Sequence, residues 1–256
     1  MSRQNGGAPQ NGPQRQNKPE RQSGAKRSLR NQKDRQDQKN QKDQRQPRPP
    51  RQKAADGEQY FNAAPSSEDV RRTLNVTLRG EECAVEVSSG VFSGNRVDLG
   101  TSVLLKQAPQ PPAEGTFLDV GCGWGPIAIA LAKASPEARV VAIDVNERAI
   151  ELTAKNAKAN GCANVETMAA DAVPADLTFD VIWSNPPIRI GKDALHDLLM
   201  AWLPRLNPGG EAYLVVQKNL GADSLIPWLA NALGEGYAVS KYHSAKGYRV
   251  IEVAKE

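Results

Sequence analysis

The first 59 residues contain no aromatic side chain; Tyr60 is the first. Without rings, and with few aliphatic residues, residues 1–53 cannot bury enough apolar surface to offset the entropy of ordering them. A packed core is therefore excluded there. Cysteine is also scarce: Cys83, Cys122 and Cys162 are the only three, and their spacing matches no metal-ligand pattern. Such an odd, scattered set excludes a disulfide framework and a zinc site, and fits reduced thiols in a cytoplasm. No apolar run is long enough to cross a bilayer, and the N-terminus lacks the apolar stretch of a signal peptide. The expectation is a soluble, cytoplasmic protein with no membrane partner and no metal. Histidine is limited to His196 and His243, both read as surface or packing residues.

What is present is unevenly distributed. Residues 1–53 hold 15 Lys/Arg against 4 Asp/Glu, with 12 Gln, a net charge of +11. The other 203 residues hold 18 against 25, a net charge of −7. The modest overall charge of +4 therefore hides a basic segment on an acidic body. Residues 1–55 read as a disordered tail whose spaced cations bind RNA or DNA phosphates by counterion release. A solvated arm that aids solubility is the other reading. About 200 residues remain, enough for one α/β domain with a full core.

Residues 56–115 read as a lead-in. Thr73 to Arg79 and Cys83 to Ser88 alternate apolar and polar residues, with Gly80-Glu81-Glu82 as the turn of a small β-hairpin. A glycine-punctuated stretch from Gly90 follows, then an apolar helix start at Ser102. Residues 116–256 alternate regularly. Strands are expected at 116–120, 139–143, 164–167, 179–184, 211–217, 236–240 and 248–253, and helices at 126–134, 147–160, 193–204 and 222–233. This alternation implies a parallel sheet with helices on both faces. Only Lys241 to Lys246 separate the last two strands, too short for a parallel crossover, so the final strand should run antiparallel.

Two stretches carry chemistry. Phe117 to Pro126 reads as strand, glycine loop and helix start, with Gly121, Gly123 and Gly125 spaced G-x-G-x-G. Such a loop lets a ligand approach the backbone beside a positive helix end. Dinucleotide folds share this device, but their spacing is G-x-G-x-x-G. Asp119, two positions before the first glycine, suits an ammonium group better than a pyrophosphate. Asp144, 25 residues on, ends the second strand, where a carboxylate accepts bonds from ribose hydroxyls. Asp171 follows the third strand and suits an adenine amino group. The second stretch is Asn185-Pro186-Pro187-Ile188, after the fourth strand. Two prolines must end that strand and stiffen the turn. Such a corner either only stops a strand or presents acceptors to a planar amine. Combined with the three acids and the glycine loop, it describes a pocket for an adenosine joined to an amino acid.

Residues 116–253 resemble the class I S-adenosylmethionine-dependent methyltransferases. Within them the chain resembles the small-domain family, which includes the ribosomal RNA guanine-N2 methyltransferases. The resemblance is carried by Asp119 to Pro126, Ile143 to Asn146, Ala170-Asp171, Ser184 to Lys192, and Val97 to Leu105. It implies an α/β, Rossmann-like, seven-stranded and mostly parallel sheet with an antiparallel last strand, here preceded by the hairpin and the tail. It implies S-adenosylmethionine as cofactor, and RNA, either ribosomal RNA or a ribosomal particle, as partner. Gly121, Gly123 and Gly125 would line the methionine end, Asp119 its ammonium, Asp144 the ribose and Asp171 the adenine. Asn185 would meet both methyl donor and target amine, with Pro186 and Pro187 completing the catalytic corner. Asp98, Thr101, Ile188, Arg189 and Lys192 would lie toward the substrate. Larger members carry an extra N-terminal domain, so a tail and hairpin imply a different docking surface. Some relatives have a base-stacking aromatic where Ile188 stands; Trp124, Trp183 and Arg189 are the candidate substitutes, with Trp183 reading as core rather than as a stacking residue. The implied reaction is methyl transfer to an exocyclic amine, most directly guanine N2. Adenine N6, a protein glutamine amide, or a non-catalytic RNA-binding or assembly role are the alternatives.

Overall fold

The computed structural model describes residues 68–256. The expected tail, residues 1–55, lies outside the described residues, as does the start of the lead-in.

Strands β1 (Arg71–Leu78) and β2 (Glu81–Ser88) pair antiparallel, with Leu78 opposite Glu81. The turn is therefore Arg79-Gly80 alone. Both residues have positive φ, 49° and 93°, the two-residue geometry whose twist matches the flanking strands. Glu81 and Glu82, expected in the turn, are instead exposed ladder residues. The inner face of the hairpin joins the core, with Leu74 and Val76 partly buried against it. Leu78, Val85 and Val87 are at most 1% exposed, each contributing roughly 1.5–3 kcal/mol of burial.

Helix α1 (Leu99–Gln107) begins three residues before the expected Ser102 because Asp98 caps it. One carboxylate oxygen, Oδ2, accepts from the Gly100 N–H (2.7 Å) and the Thr101 N–H (3.2 Å). At the other end Arg79 returns from the hairpin turn. Its guanidinium donates to the Leu105 and Ala108 carbonyls (2.9 and 3.0 Å) and lies 5.4 Å from the Trp183 ring centre. A cation on the orphan carbonyls of a helix end is favourable, and here it ties hairpin, helix and sheet together.

The main sheet has strands β3 (Thr116–Val120), β4 (Arg139–Asp144), β5 (Val165–Ala169), β6 (Phe179–Ser184), β7 (Leu206–Gln217), β8 (Tyr237–Ala245) and β9 (Tyr248–Lys255). Their order is β5-β4-β3-β6-β7-β9-β8. Strand β9 runs antiparallel to both neighbours and the other pairs are parallel, so the expected seven-stranded Rossmann-like sheet is present. Helices α2 (Pro126–Ala134), α3 (Glu147–Ala159), α4 (Lys192–Trp202) and α5 (Ala222–Leu233) connect the strands. Adjacent strand residues serve opposite faces: Phe117 joins one apolar cluster with Trp124 and Trp183, and Leu118 joins the other with Phe179 and Trp202. Burial on both faces explains why these strands read as continuous apolar runs.

Two boundaries differ from expectation for local reasons. Strand β8 runs to Ala245 because Lys246-Gly247, with φ of 49° and 82°, closes a second two-residue hairpin. Its edge position leaves Ser240 to Ser244 exposed, which hides any apolar alternation. Strand β7 begins at Leu206, ahead of a register shift opposite Phe179 and Val181. The three cysteines are buried and free. Among the described residues no helix is long and apolar enough to cross a membrane, and no group of three His, Cys, Asp or Glu side chains could hold a metal ion.

Candidate active site

After β3 the chain goes to β4 on one side, and it later fills β6 on the other. The carboxyl ends of β3, β4 and β6 thus open a crevice at the point where strand order reverses, the usual place for a ligand in such sheets. A cavity of about 750 Å³ lies there.

The glycine loop forms one wall. The N–H groups of Gly121 and Cys122 both donate to the Ile143 carbonyl (2.9 Å each), fixing the loop to β4. Gly121 and Gly123 have φ of 79° and 59° and line the cavity, with open space where a Cβ would stand. Gly125 serves packing instead, since a Cβ there would lie 3.1 Å from the Thr153 side chain.

Helix α3 holds this loop from beneath, which sequence reasoning missed. Thr153 Oγ1 donates to the Gly123 carbonyl (3.1 Å). Asn156 Nδ2 donates to the Trp124 and Glu86 carbonyls (2.8 Å each), while its Oδ1 accepts from the Glu86 N–H (2.7 Å). Both side chains are at most 1% exposed. The available signal was two polar residues interrupting the apolar stripe of Ala149, Leu152 and Ala157. Asn156→Leu should lower stability by roughly 2–4 kcal/mol, because it strands three backbone groups at once. Thermal denaturation checks this, and cofactor affinity should fall with it as the loop loosens.

The acids are placed differently from one another. Asp144 faces the cavity; its Oδ2 accepts from the Gly123 N–H and its Oδ1 from the Asn146 N–H (3.0 Å each). Burial raises its pKa. Asp119 lies below the loop, fully buried. Its Oδ2 accepts from the Ala128 N–H in the first turn of α2 (3.0 Å), and its Oδ1 has no partner among the described residues. Burial, opposed by the Ala128 bond and aided by the charge of Asp144, pushes this carboxyl up to about 8. Asp171 is exposed in a single 3-10 turn, beside the cavity-lining Ala170.

The Asn-Pro-Pro corner forms the opposite wall. Ser184 Oγ donates to the Val120 carbonyl (2.7 Å), joining the ends of β6 and β3. Asn185, Pro186, Pro187, Ile188 and Arg189 all line the cavity. Asn185 Nδ2 donates to Asp98 Oδ2 (2.9 Å) and to Thr101 Oγ1 (3.0 Å). The structure thus joins Asn185 to two residues more than eighty positions earlier in the chain. Lys192 is exposed at the start of α4 and does not line the cavity. Trp124 and Trp183, considered as base-stacking substitutes, are 1% exposed and belong to the core, so neither can stack on a substrate. Tyr248, which sequence reasoning did not single out, lines the cavity from β9. Its Cε1 lies 2.9 Å, and Asn185 Oδ1 3.3 Å, from the point a Cβ on Gly100 would occupy. His196 stacks on Trp228 and His243 is exposed on β8; neither lines the cavity.

One wall is therefore open glycine-loop backbone with the Asp144 carboxylate, Asp119 being buried behind that loop, and the other a rigid amide corner. The family description "Methyltransferase small domain" matches residues 82–252. The chain belongs to that family. It is a class I methyltransferase of the S-adenosylmethionine-dependent kind. The methyltransferase is 38% identical over 201 residues to the uncharacterized protein YbxB of Bacillus subtilis, covering 77% of this chain and 98% of that one. It is 31% identical over 189 residues to ribosomal RNA small subunit methyltransferase C of Shewanella amazonensis, covering 72% of this chain and 54% of the relative. It spans about half the length of relatives with that name. Among solved structures, a T. thermophilus 16S rRNA N2 guanosine methyltransferase in complex with AdoMet and guanosine superposes with a TM-score of 0.62. That likeness, at 24% identity over 74% of this chain and 52% of the other, shows the fold. The residues present suit the family's methyl donor: Asp119 Oδ1 is a buried acceptor without a partner, and the Asp144 oxygens keep lone pairs for hydroxyl donors.

Proposed function

We propose that this methyltransferase moves the methyl group of S-adenosylmethionine to an exocyclic amine, guanine N2 of ribosomal RNA. The observation that carries this reading is the Asn185 side chain. Both its donors are occupied by Asp98 and Thr101, so its carbonyl is left to accept from an N–H group in the cavity. The names of the relatives and the basic segment at residues 1–53 support RNA as the carrier of that amine.

Bound S-adenosylmethionine supplies an activated methyl group on a sulfonium, so no strong nucleophile is required of the protein. The work of the chain is placement and exclusion of water. Gly121 and Gly123 give the donor close access to backbone, with Gly125 holding the loop's shape. Asp144 is assigned the ribose hydroxyls, Asp171 the adenine amino group, and Asp119 the ammonium. Asn185, with Pro186 and Pro187 stiffening its turn, accepts from the target amine. This draws the nitrogen lone pair out of conjugation and toward the methyl carbon. The departing proton goes to water. Ile188 and Arg189, which line the cavity, and Lys192, exposed at the start of α4, are assigned to the substrate, the two cations to RNA phosphate.

The test is transfer of labelled methyl from S-adenosylmethionine to separated RNA, protein and DNA fractions, followed by nucleoside analysis. N2-methylguanosine in ribosomal RNA is expected. Label in protein or DNA would replace the substrate and keep the cofactor.

The Asp119 assignment has a proton signature. Below pH about 8 the free protein holds this carboxyl protonated. An ammonium beside it favours the ionised form, so binding should release a proton at pH 7, and affinity should rise with pH toward 8. Calorimetry at pH 7 in buffers of different ionisation heat should detect that release, and Asp119→Asn should remove it. Equal release in the variant would assign the proton elsewhere.

A further inference from the structure

We infer that Asp98 and Thr101 are positioning residues that lock the Asn185 amide with its carbonyl oxygen turned into the cavity. The inference rests on the amine-transfer reading and adds to it how the corner is oriented and which substrate groups it selects.

An asparagine amide has a donor end and an acceptor end of nearly equal size, and its terminal torsion is soft. Nothing in Asn-Pro-Pro itself decides which end faces the ligand. Asp98 decides it, because an ionised carboxylate only accepts. The Asn185 nitrogen must therefore face Asp98 Oδ2 (2.9 Å), and its second N–H is taken by Thr101 Oγ1 (3.0 Å). Asp98 Oδ2 is itself held by the Gly100 and Thr101 N–H groups of the first turn of α1. Thr101 is 4% exposed, so its hydroxyl is enclosed beside the amide. The amide thus stands on a helix end rather than on a loop, and Arg79 fastens the far end of that helix to the hairpin.

Gly100 lets this approach happen. A Cβ there would lie 2.9 Å from Asp98 Oδ2, 2.9 Å from Tyr248 Cε1 and 3.3 Å from Asn185 Oδ1. The selective consequence follows from hydrogen-bond chemistry. An amide whose two donors are taken presents only its acceptor end to the cavity, and so welcomes an N–H group and repels a carbonyl, which separates the amino edge of a purine from its keto edge.

The variants that test the lock split capping from reach. Asp98→Ser keeps a helix-capping oxygen but is too short to meet Asn185. The expected result is a kcat lower by about 10- to 100-fold, with KM for RNA and cofactor affinity within about threefold. Asp98→Asn still offers an oxygen at the same reach and should recover most of that loss. Thr101→Val should cost a smaller part of kcat, and it serves the same comparison if Asp98→Ser folds poorly. Gly100→Ala, which removes no polar group, should lower kcat by crowding the amide.

A readout free of turnover is the side-chain NH₂ signal of Asn185 by NMR in the full chain without cofactor. It should be protected from solvent exchange in the wild type and exposed in Asp98→Ser. Equal protection in both proteins overturns the lock. So does an Asp98→Asn as impaired as Asp98→Ser, which would make the Asp98 charge the active feature. If Asn185→Ala leaves transfer intact while the amide is protected, the amine-transfer reading fails and the lock stands as structure only.

Discussion

Asn185→Ala is expected to abolish measurable methyl transfer, a loss of at least about 100- to 1000-fold in kcat, the scale seen when one preorganised polar contact to a reacting group is removed. Cofactor affinity should change only a few fold, because Asp144 and the glycine loop form the other wall of the cavity and Asp119 lies buried behind that loop. The substitution leaves Asp98 and Thr101 without the amide they hold. Asp98 keeps its two helix N–H bonds, so the fold should survive with a modest loss of stability. Asn185→Asp is the more telling partner variant. It places a second carboxylate within reach of Asp98, so the pair can keep their contact only by sharing a proton. It should be as inactive as Asn185→Ala at neutral pH. A small return of activity as pH falls would fit a protonated pair. Single-turnover transfer and separate cofactor titration distinguish these effects. A collapse of cofactor binding in Asn185→Ala would move Asn185 from the amine to the donor side.

Much of this site was legible in the sequence because its backbone conformations demand particular residues. The glycine loop needs positive φ at Gly121 and Gly123, and a buried strand can be stopped rigidly at one place by two prolines. The ends of β3, β4 and β6 could therefore be located from composition alone, and the cavity follows from strand order. What stayed hidden depends on tertiary contact. The pairing of Asp98 and Thr101 with Asn185 spans 87 and 84 positions, and no local pattern encodes it. Thr153 and Asn156 look like ordinary helix residues until α3 is seen against the glycine loop. Tyr248 enters the cavity only because β9 is inserted between β7 and β8, an event set by the sheet edge and not by neighbours in the chain. One aromatic residue misled in the opposite sense. Trp124 sits within the glycine motif yet is a core residue, as Trp183 in its buried strand was expected to be, since large rings gain more from burial than from solvent-facing positions. Short two-residue turns were blurred as well, because Arg79 and Lys246 adopt positive φ without being glycine.

Removing residues 1–53 is the second change with a large expected effect. This segment carries a net charge of +11, and the rest of the chain −7. The truncated protein would approach RNA as an acidic body, with repulsion in place of attraction at long range. If about five of the cations neutralise phosphates, the slope of log affinity against log salt should weaken by roughly 3.5 to 4.5. At 0.1 M salt the loss in RNA affinity should exceed about tenfold, and it should shrink as salt is raised. Melting temperature and cofactor affinity should be unchanged, because the cavity is built from residues 91–248. KM for RNA should then rise while kcat at saturating RNA holds, the pattern of a contact made equally before and during the reaction. Equal slopes for full-length and truncated protein would remove the segment from RNA binding and make it an aid to solubility. A fall in kcat at saturating RNA would mean that the segment also steers the target base into the corner, beyond simply raising RNA occupancy.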